Sequence, residues 1–339
     1  MELNKKTFPL HHNSGLSFLQ LTNITSFQDA EAVLIDFNTF SSMKDKEIRW
    51  YINSKKIIYI DGTYEFLNNT VLEILENLSN ILQCDLGAVH YFCNPVNHER
   101  LSQYPLLLKL TQKGLICTPD HYFIRYSNIY QPDINADTLP KQRYLCLTGK
   151  LNPSRTFLIA LLSKYNLLQY GHVSYFGEDY IDKDFDPRKI DDYKTENFLS
   201  PSAKNVIEDE MKKLKLPLVA DTNQFNMEIS HTKKFNAELY NAVDFVIVPE
   251  TTGCTMQDNF FPTEKTVKCI LMNKKFIPLA SKGFLRKLKR YYMTELNKDI
   301  SHLTDWCDIS FDDITDLEKR TIKVVNIVAH EISKNNKSE

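Results

Sequence analysis

Two stretches of the chain combine charged, hydroxyl and turn-forming residues in an order that suits a phosphate ester. The first is Thr148-Gly149-Lys150-Leu151-Asn152-Pro153-Ser154-Arg155. An apolar run ends in a Gly- and Pro-containing loop, and a helical pattern follows. The first turn of a helix offers free backbone N–H groups and a partial positive charge, both suited to phosphate. Lys150 and Arg155 add full charges at the same end, and an Arg can hold a diphosphate through two parallel hydrogen bonds. The spacing is not that of a P-loop. The second stretch is Phe245-Val246-Ile247-Val248-Pro249-Glu250-Thr251-Thr252, followed after a loop by Phe261-Pro262-Thr263-Glu264-Lys265. Thr263 suits the N-cap of a helix, and Glu264 complements its dipole. Lys265 is the unfavourable choice at a helix start unless an anion sits there to be neutralised. The stretch thus holds acceptors for sugar or ribose hydroxyls and donors for phosphates. The plainer alternative for both stretches is a strand, a turn and a helix with solvated charges.

Two further groups of residues bear on chemistry. A transfer to a hydroxyl needs a general base, ordinarily a carboxylate or His. Asp61-Gly62-Thr63-Tyr64-Glu65 follows an apolar strand pattern and presents Asp61 and Glu65 as candidates, with Asp36 and His90 behind them. Asp-Gly is equally a plain turn. The run Lys282-Gly283-Phe284-Leu285-Arg286-Lys287-Leu288-Lys289-Arg290 places Lys282, Arg286, Lys287, Lys289 and Arg290 beside an apolar helical face. It is a candidate polyanion patch, and more often such a run is a solvated helix face. No metal site is expected.

The elements that must position these residues alternate between strand and helix, which predicts an α/β fold with largely parallel sheets. Strands are expected at 33–35, 56–60, 88–92, 116–126, 144–148, 216–219, 245–248 and 276–279. Helices are expected at 71–82, 101–110, 154–168, 263–272 and 315–332, where apolar residues recur at helical spacing. Residues 178–215 are charged and irregular, and read as an insertion with short helices. Residues 128–142 have turn composition and read as a linker between an N-terminal domain (1–140) and a C-terminal domain (141–339). In open parallel sheets ligands bind beyond the carboxyl ends of the strands, where these residues fall.

Composition narrows the class. The 339 residues are 42% hydrophobic and 25% charged, enough for more than one core. The net charge of −2 gives no whole-molecule attraction to nucleic acid. The seven cysteines form no CxxC pair and suit buried free thiols in a reducing compartment. The first residues lack an apolar stretch of signal-peptide length, and no run of about 18 apolar residues occurs, so no leader or membrane span is expected. The expected location is cytoplasmic, or host cytoplasm if the source is viral.

The run Val248-Pro249-Glu250-Thr251, then Phe261-Pro262-Thr263-Glu264-Lys265, then Lys274-Lys275-Phe276-Ile277-Pro278-Leu279 resembles the donor-site signature of the fucosyltransferase-like GT-B glycosyltransferases. The stretches Tyr144 to Tyr175 and Asp308 to Arg320 resemble a phage and large-virus branch of such enzymes, so the likeness covers roughly residues 144–330. It implies two Rossmann-like domains facing each other across a cleft, and a metal-independent, inverting transfer from a UDP- or GDP-sugar. It further implies that Arg155 and Lys265 hold the donor diphosphate, that Glu264 bonds ribose or sugar hydroxyls, and that Glu250 orients the donor sugar. Thr251-Thr252 stands where Asn-Ser is usual, which leaves the donor open. The acceptor is a glycan or a hydroxymethylated base in phage DNA. No cofactor beyond the donor is implied, and the oligomeric state is open. The competing reading is a non-catalytic nucleotide or nucleotide-sugar binder on the same fold. A Rossmann oxidoreductase is disfavoured by the missing GxGxxG and by only 9 glycines.

Overall fold

The computed structural model describes residues 6–9, 22–23, 32–36, 57–62, 76, 80, 89–93, 105–112, 114, 116–119, 130–133, 139–148, 153–175, 199–220, 234–250, 260 and 262–335. The chain divides into two compact units, 1–126 and 127–339. The stretch read as a linker includes a short strand of the second unit, so the division falls before that stretch and not within it at 140/141.

The first unit is built on a six-stranded sheet. Its strands are β1 (Lys6–Pro9), β2 (Thr22–Asn23), β3 (Ala32–Asp36), β4 (Ile57–Gly62), β5 (Val89–Cys93) and β6 (Ile116–Pro119), in the order β2-β1-β3-β4-β5-β6. Every pairing is parallel. Ala32, Val33, Tyr59 and Ile60 are buried, as expected where a parallel sheet is covered on both faces. Helix α1 (Pro105–Gln112) precedes β6. The expected helix over 71–82 lies outside the described residues apart from helical positions 76 and 80.

The second unit holds a four-stranded parallel sheet. Its strands are β8 (Gln142–Thr148), β9 (Gly171–Tyr175), β11 (Val243–Pro249) and β12 (Lys275–Leu279), in the order β12-β11-β8-β9. A two-stranded parallel pair, β7 (Gln131–Asp133) with β10 (Lys234–Asn236), accompanies it. Leu216 to Val219 forms only a single bridge, Leu218 to Tyr175, and not the expected strand. Tyr144, Leu145 and Cys146 on β8 and Phe245 to Val248 on β11 are continuously buried, the pattern of central parallel strands. Burial also pushes the Cys146 thiol up to about 12, in keeping with a cysteine that serves as a small hydrophobe.

Helices cover this sheet. They are α2 (Pro153–Lys164), α3 (Pro201–Met211), α4 (Ala237–Asn241), α5 (Glu264–Leu271), α6 (Phe284–Leu296), α7 (Ser301–Thr304) and α8 (Leu317–Asn335). Helix α2 is the central one. Phe157 to Leu162 are all buried, because α3 and α8 both pack on it. A helix that is apolar all round belongs in a core. Gly171 at the start of β9 is needed for a close approach: any Cβ there would collide with the Tyr144 ring, whose hydroxyl donates to the Leu167 carbonyl at 3.1 Å.

Candidate functional site

In the second sheet the strand order reverses between β8 and β11, because β9 lies to one side of β8 and β12 to the far side of β11. Ligands of open α/β sheets bind outside the carboxyl ends of strands at such a reversal. Helix α2 follows β8 and helix α5 follows β11, so their first turns carry the residues nearest that point.

Arg155 sits in the first turn of α2 and is only 2% exposed. Its guanidinium donates to the Pro249 carbonyl at 3.0 Å, which fixes the carboxyl end of β11 to α2. The side chain lies within the core, and its visible role is to position the strand end. Beside it, Thr148 donates to the Ser174 carbonyl at 2.6 Å and ties β8 to β9.

Glu250 is the residue after β11 and has no exposed surface. Its carboxylate accepts from the Thr263 backbone N–H at 3.0 Å, from the Thr263 hydroxyl, and from the Thr266 hydroxyl. Burial pushes its carboxyl above the usual range, against the pull of nearby Lys265 and of the bonds from Thr263 and Thr266. Both carboxylate oxygens already accept hydrogen bonds from the start of α5, so Glu250 acts as an internal clamp on that helix.

Thr263 caps α5 as expected, accepting from the Lys265 N–H at 3.3 Å. The Lys265 ammonium lies 3.2 Å from the Glu264 carboxylate, and the two side chains are 20% and 29% exposed. Burial raises the Glu264 carboxyl, but Lys265, Lys268 and its own backbone N–H outweigh that effect and hold it at about 2. Glu264 is thus ionised at any physiological pH and half-sheltered from water. The first N–H donors of α5 have internal acceptors: Thr263 donates to Glu250, Glu264 to its own carboxylate, and Lys265 to the Thr263 hydroxyl.

Further along α5, the Lys268 ammonium lies over two rings, 5.7 Å from the centre of Tyr130 and 5.4 Å from that of Phe235. Phe235 in turn packs edge-on against Tyr240 of α4. The sequence reading missed Lys268, Thr266 and both rings. The spacing of Glu264 and Lys268, one helical turn apart, was the available signal. The sequence reading gave no role to Arg320, which is 3% exposed and donates to the carbonyls of Ala280, Ile314 and Thr315, gathering the end of β12 onto the start of α8.

The remaining expected residues divide as follows. Lys150, Thr251 and Glu65 lie outside the described residues. Asp61, the penultimate residue of β4, is in backbone register with Asp36 at the end of β3, near the carboxyl edge of the first sheet. In the basic stretch, Arg286 pairs with Asp313 at 3.4 Å and Lys289 with Asp305 at 2.8 Å. Arg290 is exposed, while Lys282 and Lys287 are half-buried. Carboxylates therefore offset part of the proposed polyanion patch. Asp312, from a 3-10 turn over Ser310–Asp313, accepts from the backbone N–H groups of Leu285 and Arg286 and so starts α6.

A cavity of about 330 Å³ opens at the opposite, amino edge of the second sheet, lined by Lys141, Arg143, Tyr170, Asn241 and Asp244 among others. None of the residues singled out for chemistry lies on it. Among the described residues, no group of three or more His, Cys, Asp or Glu is arranged to hold a metal ion. No helix among them is long and apolar enough to cross a membrane.

Fold and site together define a mixed α/β protein with parallel sheets and a charged helix start at a strand-order reversal. Compared with family models, with curated proteins and with solved structures, the chain matches none.

Proposed function

We propose that the protein is a GT-B-type glycosyltransferase that moves a sugar from a UDP- or GDP-sugar to a hydroxyl acceptor. The observation that supports this most is the half-sheltered Glu264–Lys265 pair at the start of α5, just beyond the carboxyl end of β11 where the strand order reverses. Lys265 would neutralise the donor diphosphate, and ionised Glu264 would accept hydrogen bonds from ribose or sugar hydroxyls. In a half-buried site both interactions gain strength over water. Arg155 and Glu250 hold the strand end and the helix start in place.

In the transfer, the acceptor hydroxyl gives its proton to a carboxylate of the first unit, with Asp61 or Glu65 the candidates. The acceptor oxygen attacks the anomeric carbon, and the bond from that carbon to the diphosphate breaks. The nucleoside diphosphate leaves with the electron pair, its added charge met by Lys265. In this reading residues 1–126 form the acceptor side and 127–339 the donor side. A glycan acceptor suits the molecule better than modified DNA, because Asp305 and Asp313 offset the basic stretch. A non-catalytic nucleotide binder has one observation in its favour: Arg155 and Glu250 both turn into the protein.

The test is a thermal-shift screen of the full chain against UDP, GDP, CMP and their common sugars, followed by assay of nucleotide release with candidate acceptors. A ligand at 100 times its dissociation constant stabilises by about 2.7 kcal/mol. Stabilisation by one nucleotide sugar with acceptor-dependent release supports a transferase, and stabilisation without release supports the binder. No stabilisation at millimolar concentration sinks both.

A further inference from the structure

Lys265 faces a conflict if it serves a donor diphosphate. The same ammonium is the ion-pair partner of Glu264 at 3.2 Å. A cation that turns to phosphate leaves that carboxylate half-buried and unpaired, which is costly. A second cation removes the conflict. Lys268 follows Glu264 by one helical turn, with the acid on the N-terminal side, the favourable orientation for such a pair. Its ammonium lies over the faces of Tyr130 and Phe235, at 5.7 and 5.4 Å from the ring centres. An ammonium shared between two rings is attracted electrostatically by both and held from wandering. Phe235 is itself buried and braced by Tyr240. The anchor is thus a fixed part of the second unit, with Tyr130 and Phe235 supplied by the β7–β10 pair and the residue preceding it.

We propose that Lys268, anchored between the Tyr130 and Phe235 rings, is the positioning residue for Glu264, keeping that carboxylate aimed at donor hydroxyls while Lys265 turns to the diphosphate. The proposal rests on the nucleotide-sugar reading. Lys268 touches neither substrate nor reacting atoms; it acts through Glu264. The groups that act on the Glu264 carboxylate are Lys265, Lys268 and its own backbone N–H, and these same groups hold its carboxyl low. The two lysines therefore divide the labour: one is free to move to the ligand, and the other is held by the fold.

The experiment uses the full chain with Lys268→Met and Lys268→Arg. Met keeps the length and loses the charge; Arg keeps the charge and its attraction to the rings. Two quantities are read. The first, without ligand, is the titration midpoint of the Glu264 carboxyl by carbon NMR, assigned with Glu264→Gln. The second is the dissociation constant of the UDP- or GDP-sugar that the wild type binds. Lys268→Met is expected to raise the midpoint by about one unit, the effect of losing a neighbouring charge, and, as a separate consequence of a carboxylate no longer held in place, to weaken binding about tenfold, roughly 1.4 kcal/mol. Lys268→Arg should restore both. An unchanged midpoint and an unchanged dissociation constant in Lys268→Met overturn the positioning role while leaving the nucleotide-sugar reading intact. A shifted midpoint in a protein whose wild type binds no nucleotide defeats the nucleotide-sugar reading, and the positioning role falls with it.

Discussion

Helices α5 and α6 start in the same way and end up chemically different. Each follows a parallel strand of the second sheet, β11 and β12 respectively, and each has its first N–H groups held by a buried carboxylate from elsewhere in the chain. For α5 the carboxylate is Glu250; for α6 it is Asp312. Both carboxyls are pushed up by burial despite the N–H bonds they accept. The difference lies in the ion pair that each first turn makes. Lys265 and Glu264 are 20% and 29% exposed, whereas Arg286 and Asp313 are 69% and 71% exposed. A pair in water is screened and contributes little, while a sheltered pair interacts strongly and can discriminate between ligands. The two capped helix starts therefore differ in shelter: the Glu264–Lys265 pair of α5 is held partly out of water, and the Arg286–Asp313 pair of α6 is not. Gly283, with φ of +70°, turns the chain into α6 without such shelter.

The sharpest way to break this comparison is to remove the clamps. Glu250→Ala leaves the Thr263 N–H and two hydroxyls buried without their acceptor, and is expected to cost on the order of 3 kcal/mol. Denaturant unfolding should show this as a lower midpoint with an unchanged slope. Asp312→Ala removes the acceptor from two backbone N–H groups, one buried and one part-buried, and from no hydroxyl, and should cost about 1–2 kcal/mol by the same measurement. If Asp312→Ala proves the more damaging change, the ranking of the two helix starts is reversed.

Acidity separates the clamps from the sheltered pair. The native Glu250 carboxyl lies above its ordinary 4.5, so the folded state holds a proton that the unfolded chain gives up. That contribution to stability is full below 4.5 and is lost as pH rises through the native value. Glu264 runs the other way: held at about 2, it stabilises above 4.5 and loses that contribution as pH falls toward 2. Melting temperatures of wild type and Glu250→Gln across pH 4 to 7 should therefore differ most at the acid end, with the wild-type advantage shrinking as pH rises. An advantage that grows with pH would contradict the burial argument for Glu250.

The sheet of the second unit was legible because its strands are apolar on both faces. The expected 144–148, 245–248 and 276–279 match β8, β11 and β12 to within a few residues, and Thr263 is the N-cap the pattern called for. In the first unit the expected 33–35, 56–60 and 88–92 correspond to β3, β4 and β5, while short strands such as β2 carry too few residues for a periodic signal. Strand β9 was not read as one, since Gly171 and His172 interrupt its apolar run. The direction of side chains at the strand ends was not legible. A carboxylate after β11 can face solvent or protein, and the approach of Thr263 and Thr266 from the start of α5 turns Glu250 inward. Arg155 did carry a signal: it opens a helix whose next residues, Phe157 to Leu162, leave no polar face, and such a helix is buried.

The most direct test of the account is the calorimetric dissociation constant of a UDP- or GDP-sugar for the wild type, Lys265→Ala and Arg286→Ala. Removing a sheltered charge-assisted bond to phosphate should weaken binding by about 2 kcal/mol, close to thirtyfold, whereas the exposed Arg286 should leave the constant unchanged. That result would make the start of α5 the donor site. Equal binding by wild type and Lys265→Ala, or a wild type that binds no nucleotide, would contradict it.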